Sequence, residues 1–143
     1  MSYSEDKIKE SIKGNVYGAS YCKYLLLRLE LVTAEHDSIK EFNASSVEHV
    51  LPQKPEDSGY WADNHNLSEI DQYVNELGNL VLLSKSKNSS AKNYDFQTKK
   101  NKYLQGRVSD YPRSVQVLKY EAWTKDVIQD RTSQAINDVL SDP

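Results

Sequence analysis

The chain has 143 residues, 38% of them apolar, and a formal net charge of −3, which is about one domain's length with enough apolar residues for a real core. No apolar run approaches the ~20 residues of a membrane span and no secretory leader pattern opens the chain, so a cytoplasmic protein is expected. Cys22 is the only cysteine, which excludes a disulfide framework and a cysteine-ligated zinc site, and the acidic balance argues against nucleic-acid binding by the whole surface.

Ser4 is placed to cap a helix from Glu5 to about Lys13, with Ile8 and Ile12 on one face and Gly14 and Gly18 beyond its end. A second helix is expected from Ser20 to Ala34, with Tyr21, Tyr24, Leu25, Arg28 and Leu31 at spacings of three and four. Leu26, Leu27 and Val32 widen its apolar face. Both helices read as scaffold, and His36 reads as an exposed loop histidine. After a polar connection, Val47, Val50 and Leu51 suit a short strand that Pro52, which has no N–H for a ladder, must end. That strand carries Glu48 and His49 side by side. A strand end is a firm platform from which two polar side chains can be aimed at one substrate atom. By itself a Glu-His pair is more often a surface ion pair or a satisfied core histidine.

Lys54 to Gly59 carry turn chemistry. Tyr60 and Trp61 are expected to pack this excursion onto the core, Trp61 as an anchor rather than a base-stacking platform. His65, between two asparagines, reads as a loop residue. Ser68-Glu69-Ile70-Asp71 has the form of a capping box, and Ile70, Tyr73, Val74 and Leu77 follow at helical spacing, so a short helix is expected to end at Gly78. Asn79 then opens an apolar run, Leu80 to Leu83, that reads as a second strand. Asn88 lies beyond its end.

From Asn88 a helix can begin, with an irregularity near Tyr94 and Asp95 as N-cap of a helix from Phe96 to Leu104. Tyr94, Phe96 and Tyr103 interleave with lysines as in single-strand binders, although their helical spacing favours core packing. Gly106 and Pro112 close the segment. A last helical region is expected from Arg113 to Leu140, broken near Trp123-Thr124, with Ile128, Ala135 and Ile136 inward and Arg131 bridging to the core. Charge is segregated along the chain. Glu48 to Leu77 holds seven acidic residues against Lys54 alone, whereas Lys85 to Arg107 holds seven basic residues against Asp95 alone. The basic stretch is either a solvated helix face or a strip that tracks a phosphate backbone.

Three pieces stand in order: a strand with Glu48-His49, a strand opened by Asn79, and Asn88 entering a helix. In this they resemble an HNH (His-Me finger) nuclease. Asn79 and Asn88 are nine residues apart, as the middle asparagine and final residue are in many such motifs. More closely, Glu-His-Val-Leu-Pro-Gln, Leu-Gly-Asn-Leu-Val-Leu-Leu-Ser, and Asn-Ser-Ser-Ala-Lys-Asn-Tyr-Asp-Phe with Lys99-Lys100 resemble the C-terminal domain of GmrSD-type (type IV) restriction endonucleases. Residues 46–104 carry these motifs. Glutamate replaces the commoner aspartate before the histidine, and the segment from His49 to Asn79 is long for a simple HNH motif.

The resemblance implies an α+β fold, a ββα-metal core at 45–105 embedded in helical flanks at 1–44 and 106–143. The whole would be one nuclease domain forming the C-terminal part of a larger protein. It implies hydrolysis of DNA phosphodiester bonds in restriction or anti-phage defence. His49 would be the general base, at a pKa suited to taking a proton from water near neutrality. Asn79 would hold its imidazole by a hydrogen bond. Glu48 and Asn88 would supply oxygen donors to one divalent cation, Mg²⁺ with Mn²⁺ as an alternative, since Mg²⁺ accepts few protein ligands. Lys85, Lys87, Lys92, Lys99 and Lys100 would contact DNA. A separate sensing or NTPase domain would supply specificity, and self-association as a homo-oligomer stays open. The reading from another class is a catalytically inactive nucleic-acid-binding or helical interaction module that keeps the ββα frame.

Overall fold

Val47 and the run Leu80–Leu83 form two strands at the centre of the molecule, the first ending at His49, short of the expected Val50 and Leu51. β1 (Ser46–His49) and β2 (Leu80–Leu83) pair antiparallel, with Val47 opposite Leu82, Glu48 opposite Val81 and His49 opposite Leu80. One further rung runs from Val50 N–H to the Asn79 carbonyl at 3.0 Å. The computed structural model describes residues 2–33, 46–83, 94–105 and 111–141. Around the strands lie α1 (Ser2–Lys13), α2 (Cys22–Thr33), α3 (Tyr60–Asn64), α4 (Phe96–Gln105) and α5 (Lys125–Ser141), with 3₁₀ turns at Ile70–Gln72, Leu77–Asn79 and Ser114–Lys119. The architecture is α+β.

Strand alternation divides the core in two. Val81 and Leu83 pack with Trp61, Tyr73, Phe96 and Trp123 on one face. Leu80 and Leu82 pack with Leu25, Leu26 and Leu29 of α2 and Ala135 of α5 on the other. All four residues of β2 are therefore buried, and an unbroken apolar run is what a strand covered on both faces requires.

Several local expectations shift. The first helix begins at Ser2, so Ser4 lies within it. The α2 seam runs through Cys22, Leu25, Leu26 and Leu29, while Tyr21 and Tyr24 are exposed. Tyr21 instead donates its hydroxyl to the Ser11 carbonyl at 2.8 Å, tying α2 to α1. α4 begins as expected, with Thr98 N–H donating to Asp95 Oδ1 at 2.8 Å. The last helical region is broken, as expected, between Ser114–Lys119 and α5. His36 lies outside the described residues.

The helix expected over Ser68 to Leu77 is instead a series of tight turns. Its bonds run mostly from i to i−3, as from Gln72 N–H to the Glu69 carbonyl and from Glu76 N–H to the Tyr73 carbonyl. Ser68 bonds Asn66 Oδ1 through both N–H and hydroxyl rather than capping a helix. The reason is tertiary competition for the backbone. An α-helix would join Gly78 N–H to the Val74 carbonyl. Here Gly78 N–H donates to Thr132 Oγ1 at 2.9 Å, and the Val74 carbonyl accepts from Asn79 Nδ2 at 2.8 Å.

At Gly78, in the turn before β2, the chain packs directly against the backbone of α5. A Cβ there would run into the Ile128 carbonyl oxygen and lie 2.7 Å from Thr132 N. Two buried arginines hold the same stretch. Arg131 Nε donates to the Gly78 carbonyl, and Arg113 donates to the Leu77 and Leu80 carbonyls. The bridge expected of Arg131 is therefore present. Glu30, wholly buried in α2, accepts from Arg113 N–H, Ser114 N–H and the Ser114 hydroxyl. Together these contacts fix the entry into β2, and with it Asn79.

Candidate active site

Glu48 and His49 are both buried, at 7% and 5% exposure, but alternation sends their side chains to opposite faces of β1. The Glu48 carboxylate lies 3.6 Å from Lys99 Nζ. His49 Nε2 lies 2.7 Å from Asn75 Oδ1, and the imidazole meets the edge of Tyr17 at a centroid distance of 4.3 Å. The expected convergence of both side chains on one atom thus meets the two-residue period of a strand. Each has its own surroundings, drawn from different elements.

Asn79 is wholly buried, and its amide is fully used. Oδ1 accepts from Leu51 N–H at 2.8 Å and from Trp123 Nε1–H at 2.9 Å. Nδ2 donates to the Leu51 and Val74 carbonyls. None of these partners is His49, contrary to the expectation that Asn79 holds the imidazole. What it holds is the backbone just past β1, so it acts on the site by fixing the chain that carries His49.

Lys99 departs from expectation as well. It is 1% exposed, and its ammonium donates to the His49 carbonyl at 2.7 Å besides pairing with Glu48. A phosphate contact would require this cation to leave the core. Lys100 is half-buried; its Nζ donates to the Tyr120 carbonyl at 2.9 Å and lies 4.8 Å from the Phe96 ring centroid. Lys85, Lys87, Lys92 and Asn88 lie outside the described residues.

His65 lies just past α3 in an irregular segment, as expected, but it is buried. Its ring nitrogens meet the Tyr73 hydroxyl at 2.7 Å and the Trp123 carbonyl at 2.8 Å. Trp61 is the anchor expected, donating Nε1–H to the Tyr94 carbonyl at 2.8 Å.

Among the described residues no group of three or more His, Cys, Asp or Glu side chains is arranged to hold a metal ion. Of the expected ligand pair Glu48 and Asn88, Glu48 alone lies among the described residues, and a carboxylate oxygen is a hard donor. Lys99 is positioned to neutralise it otherwise. Asn75 and Tyr17 are the site residues that sequence reasoning passed over. Tyr17 carries no local signal. Asn75 did leave one: a short amide, which competes with helical backbone bonds, sits inside a stretch otherwise patterned as helix.

The family model for the C-terminal domain of GmrSD restriction endonucleases matches residues 3–137. No curated protein matches the chain.

Proposed function

The chain belongs to the family of GmrSD restriction endonuclease C-terminal domains, and from that premise we propose that it is an HNH (His-Me finger) domain hydrolysing DNA phosphodiester bonds with His49 as general base. Membership carries a nuclease role in restriction and DNA as substrate; the residue assignments are our reading. The observation that supports it most is the state of His49. It sits at the end of β1, hydrogen-bonded through Nε2 and braced by an aromatic ring, as a base that must meet one water at one angle requires.

Hydrolysis needs an activated water, neutralisation of charge at phosphorus and help for the departing oxygen. In this reading His49 takes the proton from water. Glu48 and Asn88 would hold one divalent cation, Mg²⁺ or Mn²⁺, which would supply charge stabilisation at phosphate when bound. Lys99 bonds the carbonyl of His49 and pairs with Glu48, so it fixes the two motif residues relative to α4. β1, β2 and α4 follow in the order of a ββα-metal core, with the remaining helices as flanks of one domain. Target choice would come from a separate domain of a larger protein.

The test is nicking of supercoiled plasmid with Mg²⁺, and with EDTA in excess. His49→Ala should cut about 10²–10⁴-fold more slowly while keeping its fold. Glu48→Gln keeps an oxygen for Lys99 but removes the charge, and should need far more Mg²⁺ or Mn²⁺. Near-normal cutting by folded His49→Ala, or full cutting in EDTA, would overturn the assignment. One observation favours the inactive binding module: the ammonium of Lys99 occupies the place of a counter-cation beside Glu48. DNA binding with no nicking under any divalent ion would establish that reading.

A further inference from the structure

Taking His49 as the general base, as proposed above, we infer that Asn75 is the positioning residue for that base. Its side-chain oxygen holds Nε2 as the N–H of the imidazole and so keeps the proton-accepting lone pair on Nδ1. A neutral imidazole carries one N–H, and an oxygen that only accepts selects the tautomer whose N–H faces it. Asn75 Oδ1 lies 2.7 Å from His49 Nε2. A second donor agrees with the oxygen facing this side: Gln53 Nε2 donates to the same Oδ1 at 3.0 Å.

The backbone of Asn75 contributes too. Its carbonyl accepts from Val16 N–H at 3.2 Å, and the residue after Val16, Tyr17, sets its ring at 67° to the imidazole. One residue thus fixes the imidazole directly and ties down the loop bearing its second brace. Asn79 cannot take this part, because all four of its hydrogen-bonding positions are filled elsewhere.

The experiment compares the full chain with Asn75→Leu, which keeps the size but lacks the acceptor, and Asn75→Asp, which keeps an oxygen. Turnover is measured on supercoiled plasmid with Mg²⁺. The His49 imidazole is followed by ¹⁵N-correlated NMR on the metal-free protein. Asn75→Leu should lower kcat roughly 10–100-fold, the usual cost of removing such a partner, with KM unchanged. It should also lose the slowly exchanging Nε2 proton, while Asn75→Asp retains that proton and most of kcat. Wild-type kcat in Asn75→Leu beside an inactive His49→Ala would overturn the role of Asn75 and leave the nuclease reading standing. A protected Nε2 proton that persists in Asn75→Leu would overturn it equally. Normal cutting by His49→Ala would instead remove the base itself, and this proposal with it.

Discussion

At the scale of single residues, buried polar groups decide most of what this chain can do. Asn79 joins Leu51, Val74 and Trp123 through one amide. Asn79→Leu would strand four polar groups in the core, each costing about 1–3 kcal/mol if left unpaired. We expect it to lower stability by at least about 3 kcal/mol in urea unfolding. Unchanged stability with lost cleavage would point to a direct catalytic role instead. His65 offers a pH test. Burial pushes its pKa below the ordinary 6.5, partly opposed by its bond to the Trp123 carbonyl. Below about pH 6.5 the unfolded chain binds a proton that the folded chain refuses. Stability is therefore full above that pH and declines as pH falls toward the depressed folded value. Glu30 and Glu76, pushed up from 4.5 by burial, act in the opposite sense, their contribution being lost as pH rises above that value. The difference between wild type and His65→Gln in Tm against pH isolates the histidine. A wild-type profile no steeper than the variant's between about pH 6.5 and 5 would contradict this account.

At the scale of elements, the crossing of α5 over Leu77–Asn79 holds the site in place. Gly78 permits it because no side chain separates the two backbones. Gly78→Ala forces α5 away, and should cost more than the roughly 1–3 kcal/mol of ordinary overpacking, since the clash is with backbone. A Cβ added at Gly14 would meet nothing within 4 Å, so Gly14→Ala should stay within about 0.5 kcal/mol of wild type. Thermal melts of the two variants give the comparison, and equal Tm values would refute it. The same crossing explains why the segment before β2 is not an α-helix. Thr132 and Asn79 take the groups that its helical ladder would have used.

At the scale of the whole molecule, the question is how a chain of net charge −3 meets DNA. Lys99 is committed to the core, and Lys100 bonds the Tyr120 carbonyl. Lys102 is exposed. Duplex affinity should fall with salt, the logarithmic slope counting phosphate contacts at about −0.9 each. Lys102→Glu should reduce that slope by about one, whereas Lys99→Glu should unfold the protein rather than weaken binding. Phosphate contacts carry no direct sequence information, so cleavage of matched modified and unmodified DNA should proceed at similar rates. A preference that persists across a salt series would place recognition of the mark in this domain. Among the described residues no helix is long and apolar enough to cross a membrane.

What the amino-acid sequence determined by itself was local or motif-bound. β1 stops at His49, before Pro52, the run Leu80–Leu83 makes a strand, and Asp95 caps α4. Glu48-His49 and Leu-Gly-Asn-Leu carried the resemblance to the family whose model matches residues 3–137. These are legible because periodicity, proline geometry and capping act over a few neighbouring residues. Tertiary structure alone decided which polar side chains meet. The partner of His49 comes from Asn75, twenty-six residues on, and that of Glu48 from Lys99 of α4. It also turned a helical pattern at 68–77 into tight turns and drew a lysine of a basic stretch into the core. In each case a contact distant in sequence outcompeted the local preference, because a buried donor or acceptor left without a partner costs more than the few tenths of a kcal/mol by which local propensities differ.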